Sequence, residues 1–167
     1  MQTIIVGFSK PKKFKIFAWL IQKAYSIPYD HTYIRIHATK YDRDLIYQAS
    51  KTMVNFMGVE HFLSENDVIR EFSVNLSDEN YIKMMQFAID TAGTPYGFKS
   101  ILGLAIQRIA FWCGKNIKNP FSDGKITEVC SELISTILIE FGEKELPKDV
   151  DDMTPLDVYN FMLTLNP

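Results

Sequence analysis

The segment HTYIRIH at residues 31–37 alternates in polarity, and nothing else in the chain constrains the fold as much. Successive side chains on an extended strand point to opposite sides. His31, Tyr33, Arg35 and His37 therefore share one face, and Thr32, Ile34 and Ile36 share the other. This is a strand with one apolar face. The run KYDRD at 40–44 then makes a polar turn, and LIYQAS at 45–50 reads as the returning strand of a hairpin.

The flanking segments fill in the architecture. TIIVGF at 3–8 is a β-branched apolar run suited to a strand buried on both faces, broken by Ser9-Lys10-Pro11. In residues 14–25, Phe14, Phe17, Ala18, Ile21 and Tyr25 recur at helical spacing, and Ser26-Ile27-Pro28 ends that helix. VNFMGV at 54–59 and VIREFSV at 68–74 are further strand candidates. Residues 75–93 predict a helix capped by Ser77, with Asp78 and Glu79 in its first turn and Gly93 as its stop. Its apolar stripe is Tyr81, Met84, Met85, Ala88 and Ile89. Residues 94–97 read as a turn, residues 98–112 look helical and apolar, and residues 115–124 read as a loop. Residues 127–141 predict a helix with Gly142 past its end. Thr154 followed by Pro155 opens a last one. Strands grouped before helices argue for an α+β fold, an antiparallel sheet packed against helices.

At 167 residues the chain suits one domain, residues 1–167, and its 47% hydrophobic and 23% charged residues are those of a globular protein. A net charge of −2 supplies no global basic field for nucleic acid. Lys10, Lys12, Lys13 and Lys15 cluster locally, as a solvated surface or as a phosphate or lipid site. The N-terminal apolar run precedes the basic cluster, opposite to a secretory signal, and the longest apolar stretch, 101–114, is short of the ~20 residues of a spanning helix. The expected location is therefore the cytoplasm, or a phage or virion.

Two cysteines, Cys113 and Cys130, make neither a disulfide framework nor a CxxC pair. No closely spaced ligand pair suggests zinc, and Gly93, Gly97 and Gly103 fit no phosphate-binding loop, so no metal or cofactor is implied. Cys130 falls in the first turn of its predicted helix, where the macrodipole favours a thiolate. His31, on the polar strand face, could act as its base, and Gln48 on the paired strand could orient the imidazole. The bland alternatives are a packed core cysteine, since Cys130, Ile134, Ile137 and Phe141 share a helical face, and a strand histidine that is merely hydrogen-bonded. His61, in a polar segment, reads as a surface residue.

Five stretches in order resemble the circularly permuted members of the NlpC/P60 superfamily of papain-like thiol hydrolases. PYDHTYIRI at 28–36 resembles the histidine strand, and IYQAS at 46–50 the strand carrying the polar third residue. AIDTAGTPYGF at 88–98 resembles the helix–Gly–Pro–Tyr element, TEVCSELISTILIEFG at 127–142 the nucleophile helix, and MTPLDVYNF at 153–161 the closing segment. The resemblance implies a permuted papain-like fold with Cys130 as nucleophile, His31 as base, and Gln48, or Tyr47 or another strand residue, as third member. Tyr33 and Tyr96 could line the cleft for a peptide, amide or acyl substrate. The start TIIVGFSK and the carboxylate of Asp30 before the histidine depart from the family pattern. The implied activity is cleavage of an amide, such as a cell-wall peptide, through an acyl-enzyme. The alternatives are an acyl-chain hydrolase or acyltransferase in peripheral contact with a membrane, and a catalytically lapsed binding or structural module.

Overall fold

A computed structural model describes residues 1–50, 53–95, 110, 114, 115, 117, 130–150 and 153–166. Five strands form one antiparallel sheet: β1 Gln2–Pro11, β2 His31–Ala38, β3 Arg43–Ser50, β4 Met53–Gly58 and β5 Asn66–Leu76. Their order is β4-β3-β2-β1-β5, so the apolar N-terminal run lies inside the sheet, between β2 and β5. The described helices are α1 Ile16–Tyr25, α2 Val59–Glu65, α3 Asp78–Thr91, α4 Cys130–Glu140 and α5 Pro155–Leu165. This is an α+β architecture.

Alternation along each strand divides the sheet into two unlike faces. The apolar face carries Ile4, Val6, Phe8, Ile34, Ile36, Tyr47, Ala49 and Val54, and it buries Met84 and Ala88 of α3, Leu133, Ile134, Ile137 and Leu138 of α4, and Val158 and Met162 of α5. The other face carries the polar residues of β2 and is covered at Tyr33 and Ile46 by Phe62 of α2. Helix α2 packs on β3, β4 and β5, along the connection that joins the two outer strands of the sheet.

Several expectations needed correction. β1 does not break at Ser9. It runs on to Pro11 with a register shift against β5 between Phe8 and Ser9, because a bulge absorbs the irregularity without ending the pairing. Phe14 is 80% exposed rather than part of the α1 stripe: Lys15 is extended (φ −131°, ψ 124°), so Phe14 precedes the helix and does not follow its period. Ile89 is exposed, while Phe87 packs on the core in its place. The polar segment 58–67 contains α2, a helix whose single buried side chain, Phe62, is too sparse a signal for periodicity to reveal. His61 on it is exposed, as expected.

Helix α5 starts as the sequence predicts, with a reciprocal cap. The Thr154 hydroxyl accepts from the Asp157 backbone N–H at 3.2 Å, and the Asp157 carboxylate accepts from the Thr154 N–H at 3.0 Å. The carboxylate is held below the ordinary range: its bonds to Lys148 and Thr154 outweigh the cost of its partial burial. Thr154→Ala removes half the box and should cost about 1–2 kcal/mol in thermal or urea unfolding. Thr154→Ser should restore most of it.

Candidate active site

The start of β2 is anchored from both sides. Two residues before the strand's histidine partner of Ser9, the Tyr29 ring enters an aromatic cluster, with ring centroids 5.1 Å from Phe8 and 5.0 Å from Tyr159. The Asp30 N–H donates to the Ser9 carbonyl at 3.2 Å, and Ser9 pairs with His31 across the strands. His31 is thus the first residue of β2, fixed in position and half-buried.

The imidazole is joined directly to Gln48: His31 Nε2 lies 2.8 Å from Gln48 Oε1. The polarity of that bond follows from a chain of amides. A backbone carbonyl can only accept, so Asn55 Nδ2 donates to the Met53 carbonyl at 3.3 Å. That turns Asn55 Oδ1 toward Gln48, whose Nε2 donates to it at 3.4 Å and to Met57 Sδ at 3.8 Å. Gln48 Oε1 therefore faces the ring and can only accept. The neutral imidazole carries its hydrogen on Nε2, which leaves Nδ1 as the basic nitrogen. Gln48 and Asn55 are direct cross-strand partners, so register alone sets this chain up.

Burial pushes the His31 pKa down, with a smaller push from Lys15; the Gln48 bond and the Asp30 charge pull in the opposite direction without prevailing. Asp30 moves up, also through burial, although the Gln22 amide donates to it at 3.1 Å and the charges of His31 and Lys15 favour its anion. Near neutrality the ring is therefore uncharged. Its ¹⁵N NMR spectrum should show the Nε2–H tautomer at pH 7, titrating below the ordinary histidine value of about 6.5. Gln48→Glu should move that titration upward, because a carboxylate at Nε2 favours imidazolium.

Tyr33, expected at a cleft, is fully buried on the same face. Its ring lies over Gly7, its cross-strand partner, at a point where a Cβ would fall inside contact distance of the phenol ring and hydroxyl. The phenol reaches across β1 to donate to Glu71 Oε1 at 2.9 Å, while Arg35 holds Glu71 Oε2 at 2.8 Å. Phe62 closes over it with ring centroids 4.6 Å apart and also approaches His31, at 6.5 Å. Burial and the neighbouring Glu71 raise the Tyr33 pKa far out of the working range, so the phenol stays protonated. Tyr33 is thus a packing and hydrogen-bonding residue beneath α2. Tyr96 and Cys113 lie outside the described residues.

Cys130 is in α4, the first of its described residues, buried at 3% exposure, and its sulfur is a thiol. The helix packs on β2 and β3, the two strands that carry His31 and Gln48. It does so through the apolar face, whereas His31 and Gln48 alternate onto the polar one.

Among the described residues no group of three or more His, Cys, Asp or Glu side chains could hold a metal ion, and no helix is long and apolar enough to cross a membrane. No protein-family model matches the chain, and no curated protein matches it. Asn55, Gly7, Phe62 and Glu71 escaped sequence reasoning. Only Asn55 left a trace there, as a polar residue in an apolar strand of the same hairpin ladder as Gln48.

Proposed function

We propose that the chain is a cysteine hydrolase that cleaves amide bonds, with Cys130 as nucleophile, His31 as general base and acid, and Gln48 as the residue that positions the imidazole. The observation that carries this reading is the His31–Gln48 bond at 2.8 Å, whose polarity leaves Nδ1 basic. A carboxamide holding Nε2–H is what a thiol–imidazole pair requires of its third member. The packing of α4, the helix that carries Cys130, on both strands supports the same reading, as does the likeness to the permuted papain-like order, base strand before nucleophile helix.

In this reading the Cys130 thiol gives its proton to His31 Nδ1, and the sulfur attacks the carbonyl carbon. The backbone N–H of Cys130 donates to the oxyanion that forms. The C–N bond breaks as the imidazolium returns its proton to the departing amine, leaving a thioester. Water, deprotonated by the neutral ring, then attacks the thioester. The acid leaves, and the proton passes back to sulfur. An amide in a peptide, including a cell-wall peptide in a bacterial or phage setting, fits this chemistry.

Brief treatment with iodoacetamide at about pH 6, where an ordinary thiol of pKa near 8.5 reacts slowly, tests the proposal. Mass spectrometry should find Cys130 modified at least about tenfold faster than Cys113 in the native protein, with the difference gone in denaturant. Equal, slow modification of both native cysteines would sink it.

A further inference from the structure

We propose that the turn between β1 and α1 is a docking site for anionic membrane, with lysines contacting lipid phosphates and Phe14, Ile16 and Trp19 entering the interface. A cleft of about 230 Å³ opens there, its walls including Lys10, Lys12, Lys13, Lys15, Trp19 and Asp67. Four lysines thus face one acid. The chain as a whole carries −2, so acids outnumber bases outside this run, and positive charge is concentrated at one corner of the molecule.

The apolar side chains at that corner are the second observation. Phe14 is 80% exposed, Ile16 58% and Trp19 45%, an arrangement that a corner meeting only water does not explain. Ile16, Trp19 and Lys23 recur at i, i+3 and i+7, so the solvent side of α1 continues the apolar patch and ends in a cation. Lysines beside an exposed tryptophan and phenylalanine are the pairing that binds the headgroup region: the charge draws the surface in, and the rings settle at the acyl boundary. A nucleic acid would track along an extended basic groove, and the acidic remainder of this surface repels one.

The corner is also rigidly held. The Lys12 N–H donates to the Glu65 carbonyl at 2.9 Å, and Lys12 Nζ donates to the Leu63 carbonyl at 2.6 Å, both near the C-terminal end of α2. Lys12 thereby acts as a fastener, leaving Lys10, Lys13 and Lys15 as the charges that meet lipid. The cleft adjoins the His31 end of the sheet: Gln22, one of its lining residues, donates to Asp30. A membrane on this patch therefore lies against the end of the sheet at which β2 begins.

Co-sedimentation with sucrose-loaded vesicles tests the site without reference to Cys130 chemistry. Vesicles of phosphatidylcholine with about a third phosphatidylserine should carry the intact chain down at low salt, and phosphatidylcholine alone should not. Lys10→Gln with Lys13→Gln should weaken partition at least about tenfold, and raised salt should mimic that loss. Phe14→Ala with Ile16→Ala should weaken it to a similar degree at every salt concentration; both side chains are exposed, so unchanged circular-dichroism melting will show the variant folded. Cys130→Ala should bind as the parent does, which separates this inference from the proposed hydrolysis. Failure to bind anionic vesicles at low salt, binding unaltered in both double variants, or lysine-dependent binding of a single-stranded oligonucleotide but not of vesicles would each overturn it.

Discussion

Gly7→Ala is expected to destabilise the fold by about 3 kcal/mol or more, a large fraction of the roughly 5–15 kcal/mol that keeps a domain folded. The glycine is needed for space, not for its backbone freedom. Its Cα is the floor on which the Tyr33 ring lies as it crosses from β2 to Glu71 on β5, and an added Cβ meets the ring itself. The ring has no room to retreat, since Phe62 covers its other side and Tyr33 is fully buried. Relief requires breaking the Tyr33–Glu71 bond, which leaves Arg35 with a half-satisfied carboxylate, or lifting α2 from the sheet. Urea denaturation should show the loss as a lowered midpoint. Tyr33→Ala alone should also destabilise strongly, but combining it with Gly7→Ala should cost much less than the sum, because the clash no longer exists. A Gly7→Ala loss below about 1 kcal/mol, or strict additivity in the cycle, would refute this account of the contact.

His31→Ala is expected to slow Cys130 acylation or alkylation by about 10²- to 10⁴-fold, the usual contribution of a positioned base. Gln48→Leu should lose less, about ten- to a hundredfold, because the ring keeps its nitrogen but loses the bond that orients it and selects the tautomer. Gln48→Glu should shift the pH profile instead of abolishing the reaction. The sign of the pH dependence follows from burial. The folded-state pKa of His31 is depressed, so the neutral base persists below the ordinary value of about 6.5, and reactivity falls only as pH drops through the lower folded pKa. The unfolded chain binds that proton more readily, so the same group costs stability as pH falls below about 6.5, and the loss is complete once the folded pKa is passed. Asp30 acts oppositely: its raised pKa contributes stability below the unfolded carboxylate value, and that contribution disappears as pH rises through the folded one. Stopped-flow alkylation across pH would check the series. Equal rates in His31→Ala and the parent would remove the base from the proposal.

Much of the fold was legible in the chain because its signals are local. The alternation at 31–37 specified both faces of β2, and the structure puts Ile34 and Ile36 in the core and His31, Tyr33 and Arg35 on the other side. Ser77 and Thr154 announced their helices through hydrogen bonds that close within three residues. Where the signal was not local, reading failed. Helix α2 buries one phenylalanine, and Phe14 shares a helical period with residues whose helix starts after it.

The site divides along the same line. His31 and Gln48 could be nominated from sequence because strand and returning strand are neighbours in the chain, and a hairpin makes neighbours in space. Which nitrogen of His31 is basic depends on Asn55 and a carbonyl of β4, and so on the register of a third strand. That Tyr33 packs beneath a helix instead of lining a cleft depends on a glycine 26 positions earlier and a glutamate 38 positions later, Gly7 and Glu71. Periodicity and capping are properties of a few consecutive residues, so the sequence by itself determined the faces and the ends of elements. Proton position and burial are set by whatever lies across the sheet, and only the tertiary structure decides what that is.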